Sequence, residues 1–242
     1  MLEINLGKEK VIKKFSLILL AGGIGKRVNI GKPKQYKELH GIPMIVYSLL
    51  AIKDIDEIDE VIINYPPGEQ KNIENFVILG SINKKIKYIQ AGDSRQESVN
   101  LMISLVSNQN ILIHEAARPI VNKDTFLTLI YNKYENCGYM NEISFTVAPV
   151  DKKLKIVTGS IDRDTLRNVQ LPQKFRTDLL LDAHKQAKKD NQYFTEDACL
   201  FTQYKDSFHF IDGDDKNIKI TYKSDLALAE TFLSDDMNKD YI

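Results

Sequence analysis

The chain of 242 residues lacks most of what would tie it to a redox scaffold, a membrane or a polyanion. Its two cysteines, Cys137 and Cys199, share no metal-ligand spacing and form no paired framework. That excludes a disulfide-stapled fold and fits a reducing cytoplasm. Lys plus Arg equals Asp plus Glu, 33 of each, so no global field favours nucleic acid or an anionic membrane, and any basic site has to be local. No segment approaches the roughly 20 apolar residues that span a bilayer. KKFSLILLAGG superficially suggests a signal peptide, but its apolar core is only about seven residues long and follows a charged, polar stretch. It reads as a first buried strand, with residues 1–14 as an N-terminal extension. Internal repeats and low-complexity tracts are absent as well.

What is present is alternation. Short apolar, β-branched runs alternate with segments of helical period, the pattern of an α/β fold built on a mainly parallel, Rossmann-like sheet flanked by helices. Strands are expected at FSLILLA (15–21), EVIINYP (60–66), KIKYIQAG (85–92), NILIHEA (110–116) and EISFTVAPV (142–150). Helices are expected at PMIVYSLLAIKD (43–54), in GEQKNIENFVIL, at SRQESVNLMISLVSN (94–108) with Ser94 and Glu97 as a capping box, and in NKDTFLTLIYNKYENCG, stopped by Gly138. After Val150 the rhythm changes. Residues of about 151–175 read as a projecting β-arm inserted into a single domain spanning 15–242. Helices resume at RTDLLLDAHKQAKKD and TEDACLFTQYKD. The strand SFHFIDGD, the β-like NIKIT and a last helix capped by Ser224 follow.

The first strand runs into AGGIGKRVNIGKPKQY (21–36), three closely spaced glycines followed by cations. In an open α/β sheet such a loop lies at the ligand crevice. Glycines let backbone amides approach phosphate, and Arg27, Lys32 and Lys34 add charge-assisted hydrogen bonds. A P-loop needs GxxxxGK[ST], and here Gly25-Lys26 is followed by Arg27. A dinucleotide fingerprint needs a glycine near Val28 and an immediate helix, which Gly31 and Pro33 prevent. The remaining reading is a loop long enough to wrap a nucleoside triphosphate.

Five further segments carry chemistry in order: AGDSRQESV (91–99), IHEAARPIV (113–121), DRDTLRNVQLPQKF (162–175), TEDA (195–198) and NIKITYKSDLALAE (217–230). With the opening loop, this series resembles the cytidylyltransferases that make CDP-alcohols, a family whose members act on methylerythritol phosphate or on ribitol phosphate. The resemblance implies in-line attack of an alcohol phosphate on the α-phosphorus of CTP with loss of pyrophosphate, and Mg²⁺ or another divalent cation as cofactor. It implies Arg27, Lys34 and Lys219 as the catalytic cations. Ala21, Gly22, Gly23, Gly25, Ala91, Gly92, Asp93 and Ser98 are implied as the nucleotide site. Arg118, Lys153, Arg163 and Thr195 are implied on the acceptor side, and Glu115 and Asp215 as metal ligands. It also implies a homodimer in which the arm, with Arg163, completes the neighbouring site. On their own residues some of these stay open: Ser94 also caps a helix, Thr195 could be an N-cap, and Lys219 could be an edge-strand residue. His114 reads as a structural hydrogen-bonder rather than a base.

Three positions depart from the methylerythritol members: Glu115 stands for the usual aspartate, Lys153 for a threonine and Leu171 for another threonine. Two lost hydroxyls and a gained cation lead to the expectation of ribitol 5-phosphate or a similar polyol phosphate as acceptor, with methylerythritol phosphate as the alternative. A non-catalytic CTP-binding relative and a nicotinamide-dependent oxidoreductase are the other classes. The intact cations disfavour the first, and the missing third glycine disfavours the second.

Overall fold

In FSLILL, Phe15, Leu17 and Leu19 pack into one apolar cluster and Ile18 into another, all with at most 1% exposure. A strand apolar on both sides needs cover on both sides. The computed structural model, which describes residues 13–23 and 33–237, provides it as three layers. In chain order the elements are β1 (Phe15–Leu20), β2 (Glu38–Leu39), β3 (Ile42–Pro43), α1 (Met44–Ile52), β4 (Ile58–Tyr65), α2 (Gln70–Gly80), β5 (Lys85–Gln90), α3 (Arg95–Ile103), β6 (Asn110–Glu115) and α4 (Lys123–Ile130). They continue with β7 (Cys137–Asn141), β8 (Val150–Asp151), β9 (Ile156–Val157), β10 (Asn168–Arg176), α5 (Thr177–Lys189), α6 (Asp197–Tyr204), β11 (His209–Asp212) and α7 (Lys223–Met237).

Seven strands make the central sheet in the order β11-β7-β10-β6-β1-β4-β5. All run parallel except β10, which is antiparallel to both its neighbours. Parallel neighbours need crossovers, which the helices supply. Helices α1, α2 and α4 cover the face of Leu17, Val61 and Leu112, and α3, α5 and α6 cover the face of Ile18, Ile62 and Ile113. Phe126 and Phe175 lie in these two clusters with no exposure, each worth about 1.5–3 kcal/mol by burial alone. A third cluster seats α7, through Ala229 and Leu233, on Leu39, Met44 and Ile220. Among the described residues no helix is long and apolar enough to cross a membrane.

Several expected boundaries move. The helix expected to stop at Gly138 ends at Ile130, and Gly138 lies inside β7, so the strand expected over 142–150 is found at 137–141 instead. Packing explains this glycine: a Cβ there would lie 2.7 Å from Gln173 Cγ and 3.0 Å from the Phe208 ring. The stretch expected as the arm also divides. Residues 168–176 form β10, a buried strand of the main sheet, while the β8–β9 hairpin stands apart from that sheet. NIKIT is an irregular segment rather than a strand. Ser224 does not cap α7; the Asp225 carboxylate reaches back to the amides of Thr221 and Tyr222 at 2.7 and 2.8 Å.

Candidate active site

A cleft of about 560 Å³ opens at the carboxyl ends of β1, β4, β5 and β6, the crevice side of an open α/β sheet. Two different kinds of wall meet in it.

The first wall is backbone and short side chains. Leaving β1, the amides of Ala21 and Gly22 donate to the Asn64 carboxamide oxygen at 2.6 and 2.8 Å, and Gln35 donates to the Ala21 carbonyl. Asn64, near the end of β4 and 2% exposed, thus sets the first turn of the glycine-rich loop. A Cβ on Gly22 would lie 2.4 Å from the Ala91 Cβ, so glycine is what lets the ends of β1 and β5 approach. After β5, Gly92 N–H donates to Ser98 Oγ at 3.1 Å, and Asp93 N–H to Glu97 Oε2 at 2.8 Å. Ser94 caps α3 by accepting from Glu97 N–H at 3.0 Å. The expected capping box closes on one side only, since the Glu97 carboxylate serves the Asp93 amide. With its oxygen engaged by Gly92, the Ser98 hydroxyl keeps a proton to donate to a ligand.

The second wall is ionic. Glu115 ends β6, and its Oε1 accepts from Lys219 Nζ at 2.8 Å and Arg95 Nε at 3.4 Å. Arg118 Nε stands 3.6 Å from Oε2. Burial pushes the Glu115 carboxyl up, but Lys219, Arg95 and Arg118 outweigh it and hold it at about 2. Arg118, in turn, donates to the carbonyls of Asn217 (2.8 Å) and Val169 (3.3 Å), tying β10 to the segment that carries Lys219. Ile220 anchors the same segment: its N–H donates to the Ala117 carbonyl, and its own carbonyl accepts from Lys34 Nζ at 2.7 Å. Burial and the Arg118 charge push His114 down to about 4, and its Nε2 lies 3.1 Å from the Arg118 carbonyl. It is a neutral, buried structural group and no base for the cleft.

Of the expected residues, Ala21, Gly22, Gly23, Lys34, Ala91, Gly92, Asp93, Ser98, Glu115 and Lys219 line the cleft. Arg118 is buried against Glu115. Gly25, Lys32 and Arg27 lie outside the described residues. Lys153 and Arg163 are exposed, Lys153 at the turn of the β8–β9 hairpin and Arg163 in a short 3₁₀ turn that reaches the Ser144 carbonyl at 3.3 Å. Thr195 is exposed and is not an N-cap; that place in α6 belongs to Glu196. Asp215 is exposed and accepts from Asn141 Nδ2 at 2.6 Å, so it does not join Glu115 in the cleft. Sequence reasoning missed Asn64, Gln35 and Arg95. Arg95 stands inside the quoted SRQESV, but only its burial gives it a role.

The expected metal pair fits poorly. Among the described residues no group of three or more His, Cys, Asp or Glu converges. Glu115 is already faced by three cations, which opposes a fourth. A hard cation here would find its oxygen ligands on a triphosphate rather than on paired carboxylates.

Comparison with known proteins bears on the family and the fold. The family model IspD, 2-C-methyl-D-erythritol 4-phosphate cytidylyltransferase, matches residues 15–235. A protein of that name from Bacillus cytotoxicus is 33% identical over 226 residues, covering 90% of this chain and 97% of the relative. Another from Clostridium botulinum (strain Okra) is 33% identical over 229 residues, covering 92% and 98%. Among solved structures, 4-diphosphocytidyl-2C-methyl-D-erythritol synthase from Anaerococcus prevotii superposes with a TM-score of 0.77 at 24% identity, over 92% of this chain and 99% of that one. The 2-C-methyl-D-erythritol 4-phosphate cytidylyltransferase of Thermus thermophilus gives 0.73 at 24% identity, over 90% and 98%. These structures share the fold. With the cleft wall of glycines and the ionic wall ending in Lys219, the match over nearly the whole described chain means that this protein belongs to the IspD family of CDP-alcohol-forming cytidylyltransferases and is a nucleotidyltransferase.

Proposed function

We propose that the chain joins CTP to 2-C-methyl-D-erythritol 4-phosphate. A phosphate oxygen of the acceptor bonds to the α-phosphorus, the bond from that phosphorus to the β-bridging oxygen breaks, and pyrophosphate leaves with the electron pair. Both reactants are anionic, so the protein's work is to align them and offset their repulsion. One observation carries the reading. Lys34 and Lys219, from sites 185 residues apart in sequence, are brought to a single anchored segment, with Ile220 O accepting from Lys34 directly beside Lys219. Two cations therefore meet in a cleft whose other wall offers amides and the Ser98 hydroxyl to a nucleotide. Arg27 belongs to the same proposal as the third cation.

The expectation of ribitol 5-phosphate is withdrawn in favour of its alternative. The family model and the relatives compared are named for methylerythritol phosphate. Leu171 is 2% exposed and packs in the core, and Lys153 stands exposed at the hairpin turn. Leu171 is therefore a packing change, and Lys153 belongs to the arm, whose place would be at the neighbouring site. Mg²⁺ enters the proposal as a companion of the triphosphate, whose charge it would screen.

A homodimer also belongs to it. Phe145, Val150, Leu154, Ile156, Val157 and Ile161 stand 43–82% exposed on and around the hairpin, an apolar patch that a second copy would cover. Thr195 and the arm's Arg163 would then serve the acceptor from the two subunits. Sedimentation should give twice the 27.7 kDa chain mass, and a monomer that stays fully active would remove the arm from the site.

Pyrophosphate release should be followed with CTP, with and without Mg²⁺, across methylerythritol 4-phosphate, ribitol 5-phosphate and other polyol phosphates. The expected result is Mg²⁺-dependent release with the highest kcat/KM for methylerythritol 4-phosphate. A higher value for ribitol 5-phosphate would overturn the acceptor assignment.

A further inference from the structure

A line of buried charge runs behind the ionic wall, and the chemistry above makes no use of it. His184 on α5 lies with its Nε2 3.1 Å from Asp197 Oδ1, and both side chains are 1% exposed. Asp197 Oδ2 accepts from Arg95 Nη1 at 2.7 Å. Arg95 opens α3, its side chain 18% exposed on the lining of the cleft, and its Nε meets Glu115 Oε1 at 3.4 Å. Glu196 Oε1 stands 3.7 Å from Arg95 Nη2. Three helices, α3, α5 and α6, are thus linked through one guanidinium to the carboxylate at the end of β6.

Burying such a series of charges is a poor way to gain stability, because desolvation offsets most of the attraction. The geometry is better suited to holding a group still. Three buried atoms at the inner end have no hydrogen-bond partner: Glu115 Oε2, Arg118 Nε and Arg95 Nη2. Glu115 Oε2 and Arg118 Nε face each other 3.6 Å apart, and Arg95 Nη2 stands 3.7 Å from Glu196 Oε1, so donors crowd the carboxylate without closing every bond.

We propose that Arg95 is a positioning residue for the acceptor: held from behind by Asp197 and His184, it fixes the Glu115 carboxylate, which lines the cleft, in the place where it meets a hydroxyl of the polyol chain. The inference rests on the proposed reaction and extends it to residues outside the expected site. It also assigns work to Glu196 and Asp197, the centre of TEDA, which flank Arg95 on its far side.

The test is steady-state kinetics on the whole enzyme with CTP and the best acceptor of the panel. Arg95→Met should raise the acceptor KM about 10- to 100-fold, the scale of a misplacement near 1 Å, and leave the CTP KM within about threefold. Asp197→Asn should give a smaller rise of the same kind. Made in a Glu115→Gln background, Arg95→Met should add less than about twofold, because residues acting through one contact are not additive. Equal rises in both KM values, or full multiplication of the two changes, would overturn the assignment. Should Arg95→Met not fold, Arg95→Lys keeps the charge, loses the fork and should show the same split. If another polyol phosphate is the better acceptor, the proposed reaction fails while Arg95 is still judged on that acceptor. An enzyme inert to every acceptor overturns both.

Discussion

Two glutamates at opposite ends of the sheet are buried almost equally and held at the same low value, yet they do different things. Glu60, near the start of β4, is 2% exposed and held at about 2; Glu115, at the end of β6, is 7% exposed and held at about 2. Around Glu60 every lone pair has work. Oε2 accepts from Ser16 Oγ (2.6 Å) and Ser107 N–H (2.8 Å), and Oε1 from Ser107 Oγ (2.8 Å) and Lys87 Nζ (2.6 Å). Around Glu115 there are three cations, but Oε2 receives no hydrogen bond. Low pKa alone would not separate the two. Satisfaction does: the closed network joins β1, β4, β5 and the loop after α3, whereas the open one keeps hydrogen-bonding capacity for something that binds.

The sharpest way to break this contrast is to strip charge from the open end. Lys219→Met should lower kcat/KM by about 100- to 1,000-fold, the usual cost of one donor aimed at developing charge. The melting temperature should move little, since Lys219 is partly exposed and Glu115 keeps both arginines. A variant that lost stability in proportion to activity would place Lys219 among the structural groups with Lys87.

The same contrast explains how far the sequence could be read. The glycine-rich wall was legible because its residues are consecutive and their constraint is local. Gly22 must be small beside Ala91, and Ser94 must follow a strand to cap α3. Parallel strands were legible from apolar runs such as LILL and VII. The ionic wall was legible only in part. Glu115, Lys219, Arg95 and Asp197 all stand in the quoted segments, but the links from Arg95 to Asp197 and from Asp197 to His184 cross 102 and 13 residues and are seen only in the fold. Gly138 misled because glycine ends helices more often than it sits in strands, and here the reason was a neighbour's side chain, Gln173. Leu171 misled similarly, since a change inside a motif looked like a change inside the site. The place of Asp215 was not legible, because it bonds to Asn141, a partner 74 residues away that no motif contains.

The smaller effect belongs to the closed end. Glu60→Gln removes the charge, turns one acceptor into a donor, and leaves Lys87 beside a neutral amide. The loss should be about 1–3 kcal/mol of stability, the cost of an unmatched buried polar group. Denaturant unfolding would show it as a lower midpoint with unchanged slope. kcat and both KM values should stay within about twofold, the limit expected of a site reached only through intact strands. The pH dependence adds a second reading of the same group. Burial pushes the Glu60 carboxyl up, but the hydrogen bonds from Lys87, Ser16 and Ser107 outweigh it and lower it from 4.5 to about 2. A carboxyl depressed on folding contributes stability above its unfolded value and loses it as pH falls through the folded one. The wild-type protein should therefore lose the Glu60 contribution between about pH 4.5 and 2, and Glu60→Gln should flatten that part of the curve. An acid limb equally steep in both proteins would mean that the strand-end network is not held by the carboxylate charge, and the contrast with Glu115 would rest on packing alone.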